Sequence, residues 1–323
     1  MKLVDTIANH HPVYGSTDVV VRELARGLSL SYSEYTKPAF AMSSKSSLIS
    51  YKSLDYRTPS VFILKSPLIC LETLEAQMRG VPFVLEEEYF ARNSPRDSAA
   101  RALLRFFRGI PSVALTKRTK TFMESAGLKP FLVPPATKRR RGKRKRGHIL
   151  YVGKMIGSKN PLLVLKLAEA LKDEEFVMIG AGPMSKEVGR RAGGLGNVRV
   201  IGQAVPREKL FDYYSGAKLL LHPAFKDPVG FVIIEALSTQ TPVLASRGAG
   251  ASDYLPGEWV ADPGDWRDWL SKAKSIIQNQ DASTKKADEI FTTEHLDISD
   301  RYFRDIAGSI ATEIISKWPK LLQ

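Results

Sequence analysis

The chain has 323 residues, 43% hydrophobic and 25% charged, which is the composition of a globular protein of about two domains and too apolar for a disordered chain. One cysteine, Cys70, excludes a disulfide framework and a cysteine-built zinc site; no apolar run reaches the ~20 residues of a membrane-crossing helix, and MKLVDTIANHHPVYG lacks the apolar stretch of a secretory signal, so the sequence reads as cytoplasmic. The formal net charge of +14 is unevenly placed, +6 over residues 1–137, +8 over 138–146 and none over 147–323, an asymmetry that points to a polyanionic partner, either nucleic acid or an anionic membrane surface.

In chain order, the first half begins with a strand over 2–8, a loop holding His10 and His11, and a helix over DVVVRELARGL, where Val20, Leu24 and Leu28 recur four apart. Two adjacent histidines diverge on the backbone, so they read as surface or acceptor-side residues, not as a metal site. Further strands are expected at PSVFILK, VPFVLEE, PSVALT and KPFLVPP, with helices at LETLEAQMRG and SAARALLRFFRG between them. The polar, Ser-rich stretch 35–57 offers only short strands. RDSAARALLRFFRGI sets Arg101, Arg105 and Arg108 along one helical face, with Leu103, Phe106, Phe107 and Ile110 on the remainder. Such a helix either packs its apolar side on the sheet with solvated arginines or lies on an anionic membrane. Pro134 and Pro135 close this half, and KRRRGKRKR, eight basic residues in nine, reads as a basic linker over 138–147. It can serve as a solvated spacer, a contact to anionic lipid, or a nucleic-acid or nuclear-localisation patch.

The second half, 148–300, alternates strand and helix cleanly: HILYVG, PLLVLKLAEALK, EEFVMIG, NVRVIG, REKLFDYYSGA, KLLLHP, GFVIIEALSTQ and TPVLAS. A last helix over 301–323 is expected to return toward the N-terminal domain. Strands separated by helices imply parallel sheets covered on both faces. The expected fold is α/β, with two Rossmann-like doubly wound domains facing a cleft, 1–137 and 148–300.

Chemistry concentrates in residues 222–246. Glu235 lies in the apolar helical run FVIIEAL, and a carboxylate buried there must find donors, in a structural salt bridge or in a bound polyol. Asp227 precedes it by eight residues in a Pro-containing loop, and Gly230 opens the helix. The N–H groups of Gly230, Phe231 and Val232 can face a diphosphate while carboxylates accept hydroxyl hydrogen bonds.

These residues carry a resemblance. Residues 148–260 are similar to the C-terminal domain of GT-B retaining glycosyltransferases of glycosyltransferase family 4, the glycogen-synthase-like group. Asp227-PVGFVII-Glu235 followed by Pro242-Val243 resembles that family's pair of acids with seven residues between them, VGKMIGSKN its Gly-Arg…Lys element, IGAGP its Gly-x-Gly-Pro turn, and NVRVIGQAVPREKLFDYYSGAKLLLHP its base-holding segment. The first strand, loop and helix resemble the family more weakly, its glycine pair reading Gly15-Ser16. The resemblance implies Asp227, Lys154 and Lys159 as catalytic residues, the carboxylate toward the donor sugar and the lysines toward the diphosphate. It implies Gly15, Gly153, Gly182, Gly202, Leu210, Gly230, Phe231, Val232 and Glu235 as donor-binding residues, with Glu235 on the ribose. No metal and no cofactor are implied beyond the nucleoside-diphosphate sugar itself.

Four positions depart from the pattern. Glu86, Glu87 and Glu88 follow the strand after which the family often has a histidine; Asp227 is one methylene shorter than the usual glutamate; Gln240 stands at a usual glycine; Lys154 replaces an arginine and gives up bidentate phosphate contact. The implied activity is transfer of a sugar from a nucleoside-diphosphate sugar to a glycan, lipid-linked or protein acceptor, beside an anionic membrane surface. Two alternatives stay open: an acceptor that is nucleic acid, which no aromatic-interleaved basic patch supports, and a non-catalytic binding protein on a degenerate scaffold.

Overall fold

A computed structural model describes residues 2–7, 31–36, 60–66, 83–87, 95–141, 146–203 and 205–319. The chain divides into two compact units, Met1–Pro134 with Asp300–Gln323, and Pro135–Ser299. The helix over DVVVRELARGL, the helix over LETLEAQMRG, His10, His11, Gly15 and Glu88 lie outside the described residues.

The first unit holds a six-stranded sheet of β1 (Lys2–Ile7), β2 (Ser31–Thr36), β3 (Ser60–Ser66), β4 (Phe83–Glu87), β5 (Ser112–Ala114) and β6 (Phe131–Leu132). All its pairings are parallel, in the order β2-β1-β3-β4-β5-β6. The sequence offers no clear strand at β2, because SYSEYT is polar on both faces; at a sheet edge, pairing on one side only, such a strand is tolerated. The α-helix α1 (Pro95–Leu104) stops short of the helix expected to residue 109, since Arg105–Phe107 tightens into a 3-10 turn. That turn buries Phe107 and leaves Phe106 69% exposed between the exposed Arg105 and Arg108. Arg101 keeps a different place, its guanidinium 5.7 Å from the Phe122 ring centroid. Thr116 caps α2 (Lys117–Ser125) by accepting from the Thr119 N–H at 3.2 Å.

The second unit contains β7 (His148–Val152), α3 (Pro161–Ala170), β8 (Glu175–Ile179), α4 (Ser185–Ala192), β9 (Val198–Ile201), α5 (Arg207–Ser215), β10 (Ala217–His222), α6 (Phe231–Leu237), β11 (Val243–Ser246), β12 (Val260–Ala261), α7 (Trp266–Gln278) and α8 (Gln280–Thr293). Its parallel sheet runs β12-β11-β10-β7-β8-β9, the Rossmann order with its reversal between β7 and β10. The strands are near-continuously apolar, as a sheet covered on both faces requires, and Ile149, Leu150, Met178, Leu219, Leu220, Val243 and Leu244 are fully buried. The closing helix α9 (Arg301–Lys317) belongs to the first unit: Asp300 caps it through the Tyr302 N–H at 2.9 Å, and the Tyr302 hydroxyl donates to the Leu132 carbonyl at 2.7 Å.

Where the sequence reads a free basic linker over 138–147, three of its arginines are fastened to the second unit. Arg139 pairs with Asp288 and Asp297 and lies over the Phe291 ring at 4.8 Å. Arg140 grips Glu208 with two hydrogen bonds, 2.8 and 3.1 Å, and stacks on Phe211 at 3.9 Å. Arg146 donates to Ala217 O, Thr241 Oγ1, Thr239 O and Gln240 O, and burial lowers its pKa to about 10. Arginine suits such sites because its planar fork meets several acceptors at once. Residues 142–145 lie outside the described residues.

Candidate active site

In an open parallel sheet, ligands bind beyond the carboxyl ends of the strands where the strand order reverses. Here that point lies between β7 and β10, so the loops leaving Val152 and His222 become neighbours although about 70 residues separate them in the chain. The first loop carries Gly153, Lys154 and Lys159; the second carries Asp227 and leads into α6. Backbone bonds stitch them together: Lys226 N–H donates to Ser158 O at 3.3 Å, Asp227 N–H to Gly248 O at 2.9 Å, and Gly250 N–H to Asp227 O at 2.9 Å.

On this frame Lys159 Nζ sits 2.6 Å from Asp227 Oδ2, each side chain 19% exposed. His222, at the end of β10 and 3% exposed, places Nε2 3.1 Å from the same oxygen, a close contact whose angle does not make a hydrogen bond, so this buried nitrogen has no hydrogen-bond partner among the described residues. Burial alone would raise the Asp227 pKa, but His222 and then Lys159 outweigh it and hold the carboxyl well below the ordinary carboxylate range. An ionised carboxylate therefore stands beside the ammonium of Lys159. The Tyr151 hydroxyl donates to Lys154 O at 3.0 Å and shapes the same loop; its own pKa is raised by burial and by the charge on Asp227.

Glu235 projects from α6 into the core at 8% exposure. Its Oε2 accepts from the Tyr214 hydroxyl at 2.9 Å, and its Oε1 faces Arg207 Nη2 at 3.2 Å. Burial raises its pKa despite both partners, and Tyr214 shifts up as well, from burial and from the adjacent carboxylate. Arg207 opens α5, so this carboxylate joins α6 to the segment around Gly202 and Leu210.

The remaining positions fall around these two carboxylates. Gly153 N–H donates to Ile179 O at 3.0 Å, directly after β7. A Cβ at Gly182 would lie 2.5 Å from the Met155 carbonyl, so only glycine lets the turn after β8 reach this loop. Gly230 takes φ +83° at the N-cap of α6, and half-buried Phe231 and Val232 follow with N–H groups that have no acceptor within the helix. Gly202 is exposed after β9, Leu210 is half-buried against the core, and Lys154 is exposed and makes no ion pair among the described residues. Gly15 lies outside the described residues, and of Glu86 and Glu87 the structure describes only their place in β4. Sequence reasoning missed His222, Tyr214 and Arg207; the visible signal was a histidine ending an otherwise apolar strand, LLLH. Gln240, at the position of a usual glycine, has φ +60° and accepts that left-handed conformation at a cost. Among the described residues no cluster of three His, Cys, Asp or Glu could hold a metal ion, and no helix is long and apolar enough to cross a membrane.

Residues 135–290 match the family described as "Glycosyl transferases group 1". Sulfoquinovosyl transferase SQD2 of Arabidopsis thaliana is 22% identical over 139 residues, 41% of this chain and 27% of its own length. The putative teichuronic acid biosynthesis glycosyltransferase TuaC of Bacillus subtilis is 30% identical over 107 residues, 33% of this chain and 26% of its own. The alignments thus span about a quarter of these curated relatives. The solved structure titled "Trehalose-6-phosphate from E. coli bound with UDP-2-fluoro glucose" superposes with a TM-score of 0.72 at 10% identity, over 96% of this chain and 99% of that one, a likeness of fold. Residues 135–290 thus match the group 1 glycosyl transferases, and the two parallel α/β sheets have the fold of solved glycosyltransferase structures.

Proposed function

We propose that the chain transfers a sugar, with retention of anomeric configuration, from a nucleoside-diphosphate sugar to a glycan, lipid-linked or protein acceptor. The observation that carries this is the meeting of Lys159, Asp227 and His222 at the strand-order reversal of a group 1 glycosyl transferase domain. Breaking the bond between the sugar C1 and the diphosphate oxygen leaves negative charge on the diphosphate and positive charge on the sugar ring. Lys159, Lys154 and the first N–H groups of α6 stabilise the leaving diphosphate. Asp227 accepts hydroxyl hydrogen bonds from the donor sugar, and Glu235 accepts from the ribose. The acceptor hydroxyl forms the new bond at C1 and gives its proton to the departing diphosphate, so the step requires no metal. A structural neighbour bound to UDP-2-fluoro glucose supports a donor of this class.

For the acceptor side we favour an anionic membrane surface, because Phe106 stands exposed between the exposed Arg105 and Arg108. A panel of UDP-glucose, GDP-mannose and ADP-glucose, read for transfer and hydrolysis in the parent and in Asp227→Asn, tests the reaction, with the product's anomeric configuration read by NMR. Turnover of no donor, or equal turnover in the two proteins, refutes it.

A further inference from the structure

We infer that His222 is a positioning residue for Asp227, holding the short carboxylate in one rotamer while Lys159 is drawn to the diphosphate; this rests on the reaction proposed above. The Asp227 backbone is fixed on both sides by its bonds to Gly248 and Gly250, so only the two side-chain torsions decide where the carboxylate points. The contacts of Lys159 and His222 both fall on Oδ2, and Oδ1 has no such partner among the described residues. Of those two contacts, Lys159 sits at the tip of a flexible four-carbon stem, and it is the group an incoming diphosphate attracts. His222 is different. It is buried at the end of a central strand, and a Cβ on Gly230 would lie 3.7 Å from its Nε2, so the imidazole is packed between the carboxylate and the start of α6.

When Lys159 turns toward phosphate, the buried imidazole of His222 remains 3.1 Å from Oδ2 and limits its rotation by contact, which leaves Oδ1 free for a sugar hydroxyl. Among the described residues, His222 and Lys159 hold this carboxylate ionised, and its charge in turn raises the pKa of the Tyr151 hydroxyl.

The test compares His222→Leu, which removes the polar ring nitrogen, with His222→Gln, whose amide nitrogen can occupy the place of Nε2. The expected result for His222→Leu is a fall in kcat on the order of 10- to 100-fold, the range typical of groups that orient a functional ligand, with KM for the nucleotide sugar and thermal stabilisation by UDP, GDP or ADP nearly unchanged. His222→Gln should recover most of the loss. In an Asp227→Asn background His222→Leu should add almost nothing, because it acts through Asp227. A rise in KM in place of the fall in kcat, an equal loss in both His222 variants, or additive losses with Asp227→Asn would overturn the inference. If the parent turns over no donor, the reaction proposal fails by itself, and carbon-13 carboxyl titration still decides the positioning role. The Asp227 signal should titrate at higher pH in His222→Leu than in the parent, and an unchanged titration overturns the inference.

Discussion

Glu235 gives the sharpest test of how the second unit is built, because its stability and binding roles separate. Glu235→Leu strands the Tyr214 hydroxyl, which is fully buried, at about 1–3 kcal/mol, and removes a charge-assisted hydrogen bond of about 1.5–3 kcal/mol. Against this, the carboxylate no longer has to be kept out of water, a term large enough to raise its pKa despite Tyr214 and Arg207. Arg207 is about a third exposed, so losing its partner there is mostly repaid by solvent. The net expected loss is about 2 kcal/mol, or a few degrees in the unfolding midpoint of a unit this size. Glu235→Gln keeps an acceptor for Arg207 and an amide for Tyr214, and should lose about 1 kcal/mol or less.

The pH dependence has a definite sign. A raised folded pKa means the native state binds more protons than the unfolded chain between the ordinary glutamate value and its own. Stability of the parent therefore falls as pH rises through that window, and Glu235→Gln removes that component. Urea unfolding followed by the fluorescence of buried Trp259 and Trp269 reads this directly. If Glu235 also accepts from ribose, UDP, GDP or ADP should bind Glu235→Gln about tenfold more weakly, about 1.4 kcal/mol. Equal stability of the Leu and Gln variants, or the same pH slope in Gln as in the parent, would refute the reasoning about burial.

Lys159→Met should lower kcat by about 10²–10³ in steady-state transfer assays, the usual loss for one group that stabilises developing charge, with partial recovery in Lys159→Arg. Asp227 has the opposite pH sign to Glu235: its depressed folded pKa contributes stability above the ordinary carboxylate value that is lost as pH falls toward its own, lower value. Asp227→Asn should flatten the acid limb of urea midpoints measured downward from pH 5. Gln240→Gly should raise the unfolding temperature by relieving about 1 kcal/mol of left-handed strain at φ +60°, whereas Gln240→Ala should not.

The fold of the second unit was legible because its strands are short apolar runs spaced by amphipathic helices, so HILYV, EFVMI and AKLLLH read as buried parallel strands. The interval from Asp227 to Glu235 was legible for a similarly local reason, since both lie within one loop and its helix. Gln240 was legible only as a departure from a usual glycine; that the departure carries a backbone cost shows in its φ of +60°. The partners were not legible. Lys159 reaches Asp227, Arg207 reaches Glu235 and Arg146 reaches Thr239 only because parallel strands return to the same edge, and no sequence interval encodes that return. Polar β2 and the early end of α1 were missed because edge pairing and a 3-10 turn override alternation and helical spacing.

The surplus charge changes meaning once its side chains have places. Arg139, Arg140 and Arg146 are committed to Asp288, Asp297, Glu208 and four acceptors near α6, so a large part of the run 138–146 serves the second unit. Cations available to an anionic surface are better sought where no such commitment is made among the described residues, at Arg105 beside exposed Phe106. The two groups should separate in experiment. Arg105→Ala with Phe106→Ala should weaken binding to vesicles containing anionic lipid by about 1 kcal/mol for the charge alone, more with the ring, while leaving the unfolding midpoint unchanged. Arg140→Ala should do the reverse, lowering stability by unstacking from Phe211 and releasing Glu208, with little change in vesicle binding. Co-sedimentation at two salt concentrations checks both, because the electrostatic share must fall at high salt. Equal vesicle binding by the parent and by the Arg105 and Phe106 variant would return the charge to a role within the folded chain.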